Sequence, residues 1–528
     1  MLANSAATSE AEATAGASAR LATGATLPSL TQADGQPAPV RLSGVIYGVL
    51  MNDPAALAQL GDAVHAPPYK APPRAPVLYV KPRNTHSPSG AAVTVDPDVP
   101  AFEIGAAIGV VIGRTACRVA AASASDYIAG YLLAVDLTVP HAAFYRPSIR
   151  FKARDGSCLV GATLADPDAL DPDAVTLAVA VDGEIVHRPS TAGRTRPVAQ
   201  LLADVSEFMT LRPGDLLLTG IAAGAPQAGA GQSFSVEAPG LGRIEGRLVA
   251  EHLPSATESG VAGPVSSRTG ALAGPVARVA HGGAIHDAVP DARGLRLADG
   301  RVIAEDQAVW LPPFDVGTVI ALGLNYADHV KELSKELTVT TRDEPLVFVK
   351  GPGTLIGHRG FTRRPDDVTF MHYECELAVV IGKPARRVSR SAALGYVAGY
   401  AVCNDYAFRD YLENWYRPNL RVKNRDGATA IGPWLVPAAA VPDPQALALR
   451  TTVNGRVTQQ GTTADMINDV ASLLEYLSDF MTLLPGDVIL TGTPDGVVDV
   501  RPGDVVVTAI EGIGSLMNTI VGDDLFGR

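Results

Sequence analysis

The chain has 528 residues, 47% hydrophobic and 19% charged, which is enough apolar material for roughly two to four packed domains. Its formal net charge is −12 and it has no basic run, so it offers no footing for nucleic acid or an anionic membrane. No stretch reaches the roughly 18 uninterrupted apolar residues of a membrane span.

Residues 1–40 are Ala, Ser, Thr and Gly with almost no large apolar side chain. They lack a basic start followed by an apolar core, so they read as a flexible extension and not a secretory signal. A first globular block is expected over 41–252. A Gly/Ala/Pro-rich stretch, 253–299, then reads as a linker, and a second block follows over 300–528. The four cysteines, Cys117, Cys158, Cys375 and Cys403, are scattered among apolar neighbours without CxxC spacing. They read as buried free thiols in a reducing compartment, and a cytoplasmic protein is expected.

The two blocks resemble each other. "VLYVKPRNT" (77–85) matches "LVFVKGPGT" (346–354), and "YIAGYLLAVD" (127–136) matches "YVAGYAVCND" (396–405). "YRPSIRFKARDG" (145–156) matches "YRPNLRVKNRDG" (416–427), and "SEFMTLRPGDLLLTG" (206–220) matches "SDFMTLLPGDVILTG" (478–492). The numbering offset stays at about 270 throughout, so this is a duplication of a whole domain and not a solenoid repeat. Short apolar runs bounded by Gly, Pro and Asp predict a β-rich chain. Two related domains in one chain predict an internal pseudo-dimer about a pseudo-twofold axis.

In the second block, "ALGLNYADHVKEL" (321–333) opens as an apolar strand and turns into a short helix, with His329 and Glu332 three apart on one face. An imidazole held by a carboxylate suits a general base or the activation of water, although the spacing equally describes an exposed helix. "MHYECELAVVIGK" (371–383) places Glu374 and Glu376 on one side of a strand. Asp405 ends the apolar run "VAGYAVCND". Three hard oxygen donors converging from two strand ends would hold Mg²⁺ or Mn²⁺; from spacing alone they also read as solvated acids on an edge strand. Aligned on the first block, Glu374 faces Gly105 and Glu376 faces Ala107, while Asp136 matches Asp405. The same alignment sets Ala56 against His329 and Gln59 against Glu332, so the first block lacks both constellations.

"RPNLRVKNRDG" supplies Arg417, Arg421, Lys423 and Arg425, a local basic cluster suited to an acidic ligand or to a solvated loop. The first block keeps Arg146, Arg150, Lys152 and Arg154, so this cluster is either structural or acts across the domain interface. "MINDVASLLEYLSDFMTL" (466–483) has apolar residues at helical spacing and stops at "PGD". In "LTGTPDGV" (490–497), Thr491, Gly492 and Thr493 offer hydroxyl and backbone N–H groups to a carboxylate, or simply end a strand.

Taken together, "GLNYADH", "EPLVFVKGPGT", "YECELAVVIGK", "GYAVCNDYAFRDYLE", "RVKNRDG", "QQGTTADMI" and "MTLLPGDVILTGTPDG" resemble the fumarylacetoacetate hydrolase family. The resemblance covers the whole second block and, in degenerate form, the first. It implies an α+β, β-rich fold of two tandem β-roll/sandwich domains forming a pseudo-dimer, with the second catalytic and the first lacking metal ligands. It implies Mg²⁺ or Mn²⁺ on Glu374, Glu376 and Asp405, with His329, Glu332 and Lys423 catalytic. Thr491, Gly492 and Thr493 would bind substrate, as would Arg409, Arg417 and Arg421. The fused layout implies an enzyme that acts as a monomer on a small di- or tricarboxylate. That activity would be decarboxylation of 5-oxopent-3-ene-1,2,5-tricarboxylate, then isomerisation of 2-hydroxyhepta-2,4-diene-1,7-dioate to 2-oxohept-3-ene-1,7-dioate, in aromatic catabolism. The alternatives are C–C bond hydrolysis of an acylpyruvate and a non-catalytic scaffold.

Overall fold

The computed structural model of the protein describes residues 27–32, 34–251, 274–328 and 344–523. The duplication appears as two main sheets of the same strand order. In the first half, the strands are β1 (Ile46–Leu50), β2 (Val77–Lys81), β3 (Phe102–Ile112), β4 (Ile128–Thr138), β5 (Cys158–Val160) and β6 (Leu216–Leu218). Their order across the sheet is β2-β1-β6-β3-β4-β5, closed by His86–Pro88. In the second half, β7 (Val319–Gly323), β8 (Leu346–Lys350), β9 (Cys375–Ile381), β10 (Val397–Asp405), β11 (Thr429–Pro437) and β12 (Val488–Leu490) run β8-β7-β12-β9-β10-β11, closed by Leu355–Ile356. Each half carries a further five-stranded sheet, so each is a β-rich roll with few helices.

The central strands are buried on both faces, and their sequences are correspondingly near-continuous apolar runs. The predicted helix forms at Val470–Phe480, capped by the Asp469 carboxylate on the Ser472 N–H. Its counterpart is Val198–Ser206. Each half also has a single helical turn that points a lysine inward: α1 (Ile149–Lys152) and α2 (Leu420–Lys423). None of the described helices is long and apolar enough to cross a membrane. All four cysteines are free, and three of them are buried.

The contacts between the halves are reciprocal. The Thr210 N–H donates to Asp426 at 3.0 Å, and the Thr482 N–H donates to Asp155 at 2.8 Å. These are the same pair of positions exchanged, as an isologous interface requires. The two "YRP" segments lie side by side, with the Tyr416 N–H on the Phe144 carbonyl (2.8 Å) and the Arg417 N–H on the Tyr145 carbonyl (2.7 Å). Trp415 is almost fully buried, stacked on Tyr69 at 4.3 Å, and donates its indole N–H to the Ala71 carbonyl at 2.9 Å.

Two expectations about the connecting segments need correction. The stretch expected to be a linker, 253–299, is folded from residue 274 onward. Ala277–His281, Ala284–Asp291 and Gly294–Leu297 join Val302–Ile303 and Val309–Leu311 in a five-stranded antiparallel sheet. Val279, Leu295, Leu297 and Trp310 form its own small core. Gly282 and Gly283, both at positive φ, make the two-residue turn between paired His281 and Ala284. Composition took hairpin glycines for linker glycines. In the expected 1–40 extension, residues 27–32 and 34–40 pack on the first half: Leu30 is buried and Thr31–Gln32 pairs in parallel with Thr163–Leu164.

Removing the Trp415 indole leaves a cavity between the halves. Trp415→Ala is expected to cost about 3–5 kcal/mol, read as a lower urea midpoint at unchanged slope; an unchanged midpoint would show that the halves do not depend on this contact.

Candidate active site

The strand pairing brings the three acids together. β9 and β10 pair with Glu376 opposite Cys403, which sets Glu374 beside Asp405, and the Asp405 N–H donates to the Glu374 carbonyl at 3.0 Å. One carboxylate oxygen from each of Glu374, Glu376 and Asp405 lies within 4.8 Å of the other two. Glu376 and Asp405 are fully buried and Glu374 half-buried. The alternative of solvated edge-strand acids is therefore excluded.

Charge balance distinguishes this cluster from a structural ion network. Two lysines face three acids. Lys423, from α2, donates to Glu374 at 2.6 Å and to Asp405 at 2.9 Å. Lys350, at the end of β8, donates to the other Asp405 oxygen. Burial opposes the charged form of Lys423, but Asp405 and Glu374 outweigh it and hold the ammonium above its ordinary range. Burial pulls Lys350 the other way, below its ordinary value. Glu376 is pushed well above the usual carboxylate range, first by burial and then by Asp405 and Glu374. One of its oxygens accepts the Gly492 N–H at 2.7 Å. The other is buried with no hydrogen-bond partner among the described residues. Such a carboxylate is costly unless a cation reaches it. Three hard oxygen donors, one of them orphaned, fit a divalent ion of the Mg²⁺ and Mn²⁺ class.

The first half has the same register without the same chemistry. Gly105 pairs with Asp136 and Ala107 with Ala134, so Glu374 and Glu376 have no counterparts. A Cβ on Gly105 would stand 2.4 Å from the Ile221 side chain, so an apolar plug fills that space. Asp136 lies between Lys81 (2.9 Å) and Lys152 (2.8 Å) and accepts the Tyr79 hydroxyl at 2.5 Å. Burial opposes its charge, but Lys152 and Lys81 outweigh burial and hold it below the usual carboxylate range. One acid with two cations has no need of a metal.

The sequence profile of the fumarylacetoacetate (FAA) hydrolase C-terminal family matches residues 45–249 and again 318–521. The chain belongs to the fumarylacetoacetate hydrolase family. The 4-hydroxyphenylacetate degradation bifunctional isomerase/decarboxylase of Salmonella dublin is 42% identical over 485 residues, covering 92% of this chain and 99% of that protein. The Escherichia coli protein of the same name is 43% identical over 483 residues, with the same coverage. A crystal structure of 5-carboxymethyl-2-hydroxymuconate delta-isomerase from Mycobacterium smegmatis is 34% identical, with a TM-score of 0.41, and covers 47% of this chain and 99% of that one.

Other family-motif residues fall into three groups. Arg409, Arg417, Lys423 and Thr493 line a small cavity of about 70 Å³ at Glu374. Arg421 is not brought there: its guanidinium lies over the Tyr411 ring at 4.6 Å and faces Glu207 of the first half at 3.7 Å. On the single turn of α2, Lys423 faces inward, so Arg421, two positions earlier, faces away. Thr491 and Gly492 are also committed elsewhere. The Thr491 hydroxyl donates to the Leu377 carbonyl at 3.1 Å, and the Gly492 N–H holds Glu376. The turn therefore orients an acid, leaving Thr493 to face the cavity with its hydroxyl fixed by Gln459 at 3.0 Å. His329 and Glu332 lie outside the described residues.

Sequence reasoning missed Lys350. Its signal is a lysine ending the apolar run "LVFVK", repeated as Lys81 in "VLYVK". Gln459 lies in a quoted motif but had no assigned role.

If a cation belongs on the orphaned oxygen, neutralising Glu376 removes both the repulsion and the site. Glu376→Gln is expected to melt no lower than the parent in EDTA, yet to lose the rise that saturating Mg²⁺ gives the parent, about 2.7 kcal/mol at 100 times Kd. A variant that keeps the Mg²⁺ increment would place the ion elsewhere.

Proposed function

We propose that the protein decarboxylates 5-oxopent-3-ene-1,2,5-tricarboxylate and then isomerises 2-hydroxyhepta-2,4-diene-1,7-dioate to 2-oxohept-3-ene-1,7-dioate, using Mg²⁺ or Mn²⁺ on Glu374, Glu376 and Asp405. The observation that carries this reading is identity of 42–43% across both halves to relatives named as bifunctional isomerase/decarboxylases. The acid cluster, present among the described residues in the second half only, supports a single site per chain. The second half is read as catalytic and the first as its pseudo-dimer partner, acting together as a monomer.

A divalent ion, when bound, supplies Lewis acidity toward the keto and carboxylate oxygens of a 2-oxo acid. The chain's own groups supply the rest. As the C–C bond to the departing carboxylate breaks, its electron pair moves through the enone to the former keto oxygen. The Lys423 ammonium, held in its charged form by Asp405 and Glu374, stands beside that negative charge and stabilises it. Protonation of the oxygen gives the dienol. Isomerisation removes the enol proton and places one on the carbon at the far end of the diene. His329, with Glu332 holding its tautomer, is assigned that transfer on their sequence spacing. Arg409 and Arg417 flank the small cavity and serve the carboxylates nearest the reacting carbons. Both steps use the same electron-rich system, so one site serves both.

Incubation with Mg²⁺ and the tricarboxylate, following CO₂ release and diene absorbance, tests the proposal. Both signals are expected, and Glu374→Ala or Glu376→Ala is expected to remove them together, by at least about 10³-fold. C–C bond hydrolysis without CO₂ would establish the hydrolase alternative instead. Decarboxylation retained by a metal-stripped variant would overturn the role of the acids.

A further inference from the structure

The small cavity at Glu374 and Lys423 holds about 70 Å³, whereas ligand pockets commonly run about 300–1,000 Å³. It accommodates the reacting end of a seven-carbon diacid and little more. It adjoins a larger cavity of about 470 Å³, and Leu322, Gly323, Leu324 and Leu346 line both. The rest of the ligand must extend into this larger space, and its far carboxylate needs a cation there.

The wall of the larger cavity is built from both halves, and among the described residues its two arginines, Arg146 and Arg150, come from the first. Arg150 faces Asp479 at 3.3 Å, Glu344 at 3.8 Å and Asp98 at 3.9 Å and does not line the small cavity. Arg146 stands at the junction, lining the large and the small cavity alike. Its guanidinium lies 4.6 Å over the Tyr145 ring and donates to the Arg417 carbonyl at 3.1 Å. Those contacts fix a planar fork at the point where a chain anchored at Glu374 enters the larger space. Arg417, the counterpart of Arg146 in the duplication, lines only the small cavity. The pseudo-twofold thus brings the two equivalent arginines to one site, Arg417 to the small cavity and Arg146 to its junction with the larger one.

We propose that Arg146, contributed by the half without metal ligands, binds the far carboxylate of the substrate and sets the preference for a diacid. The inference rests on the function proposed above, and it makes the first half part of the active site.

The test is calorimetric and needs no turnover. The full chain with Mg²⁺ is titrated with 2-oxoheptanedioate and with 2-oxoheptanoate, which lacks only the far carboxylate. The parent protein is expected to favour the diacid by about tenfold or more, the worth of a charge-assisted hydrogen bond. Arg146→Ala is expected to lose that preference while binding the monoacid within about twofold of the parent, and Arg146→Lys to keep part of it. An Arg146→Ala variant that keeps the full preference overturns the inference, as does one that weakens both acids equally, since Arg146 then only holds the halves together. If the parent binds neither acid, the proposed function falls and takes this inference with it. If it binds both acids and Arg146→Ala changes nothing, only the inference falls.

Discussion

Three carboxylates held against two ammonium groups at buried strand ends form the constraint around which the second half is built. Like charges within 4.8 Å of one another, away from water, cannot all ionise without a compensating cation. Lys423 and Lys350 bond to Asp405 and Glu374 and leave one oxygen of Glu376 without a partner among the described residues. Glu376 nevertheless has no freedom to turn away, because the Gly492 N–H fixes its other oxygen. Gly492 is at a φ of +86° and closely approaches Asn325, whose amide holds the Thr491 carbonyl at 2.8 Å. The turn, the asparagine and the strand register thus all hold an electrostatically unfavourable arrangement in place. Such an arrangement fits a divalent cation held by oxygen donors.

The first half shows what the same fold does when the demand is lifted. Its register is identical around Asp136, and Asn52 holds the Thr219 carbonyl as Asn325 holds Thr491. The backbone register is shared but the acids are not: Ile221 fills the space beside Gly105, and the hydroxyl of Tyr79 donates to Asp136. Lys81 and Lys152 remain because Asp136 is buried and needs partners. A lysine pair around a buried aspartate is therefore common to both halves, and the two glutamates are what distinguish the second.

Periodicity and duplication made much of this legible. The Glu-x-Glu spacing on an apolar strand predicts a shared face, since backbone geometry repeats every two residues, and Asp405 reads as the third donor because it ends a buried apolar run. What failed was reading composition without pairing. Glycines at 282 and 283 look like linker residues until the strands on either side are seen to pair. Arg421 looks equivalent to Lys423 in a basic cluster, yet on one helical turn two positions reverse the direction of a side chain. A lysine after an apolar run ordinarily marks a strand's exit to solvent, so local pattern does not single out Lys350; Asp405 gives it a buried partner.

The persistence of a half without metal ligands follows from packing as much as from ancestry. The segment from Arg409 to Lys423, which carries Arg409, Arg417 and Lys423 of the small cavity, is seated on the first half through Trp415 and Tyr416. These side chains complete an apolar cluster with Met51, Val64, Tyr69, Val77 and Tyr79. Tyr79 belongs to that cluster and also donates to Asp136, so one side chain joins the buried ion cluster of the first half to the support of this segment. An acid at Gly105 would require displacing Ile221, whose side chain stands 2.4 Å from a Cβ placed there. The two halves thus differ at the acid cluster and depend on each other where Trp415 and Tyr416 pack on Tyr69 and Tyr79.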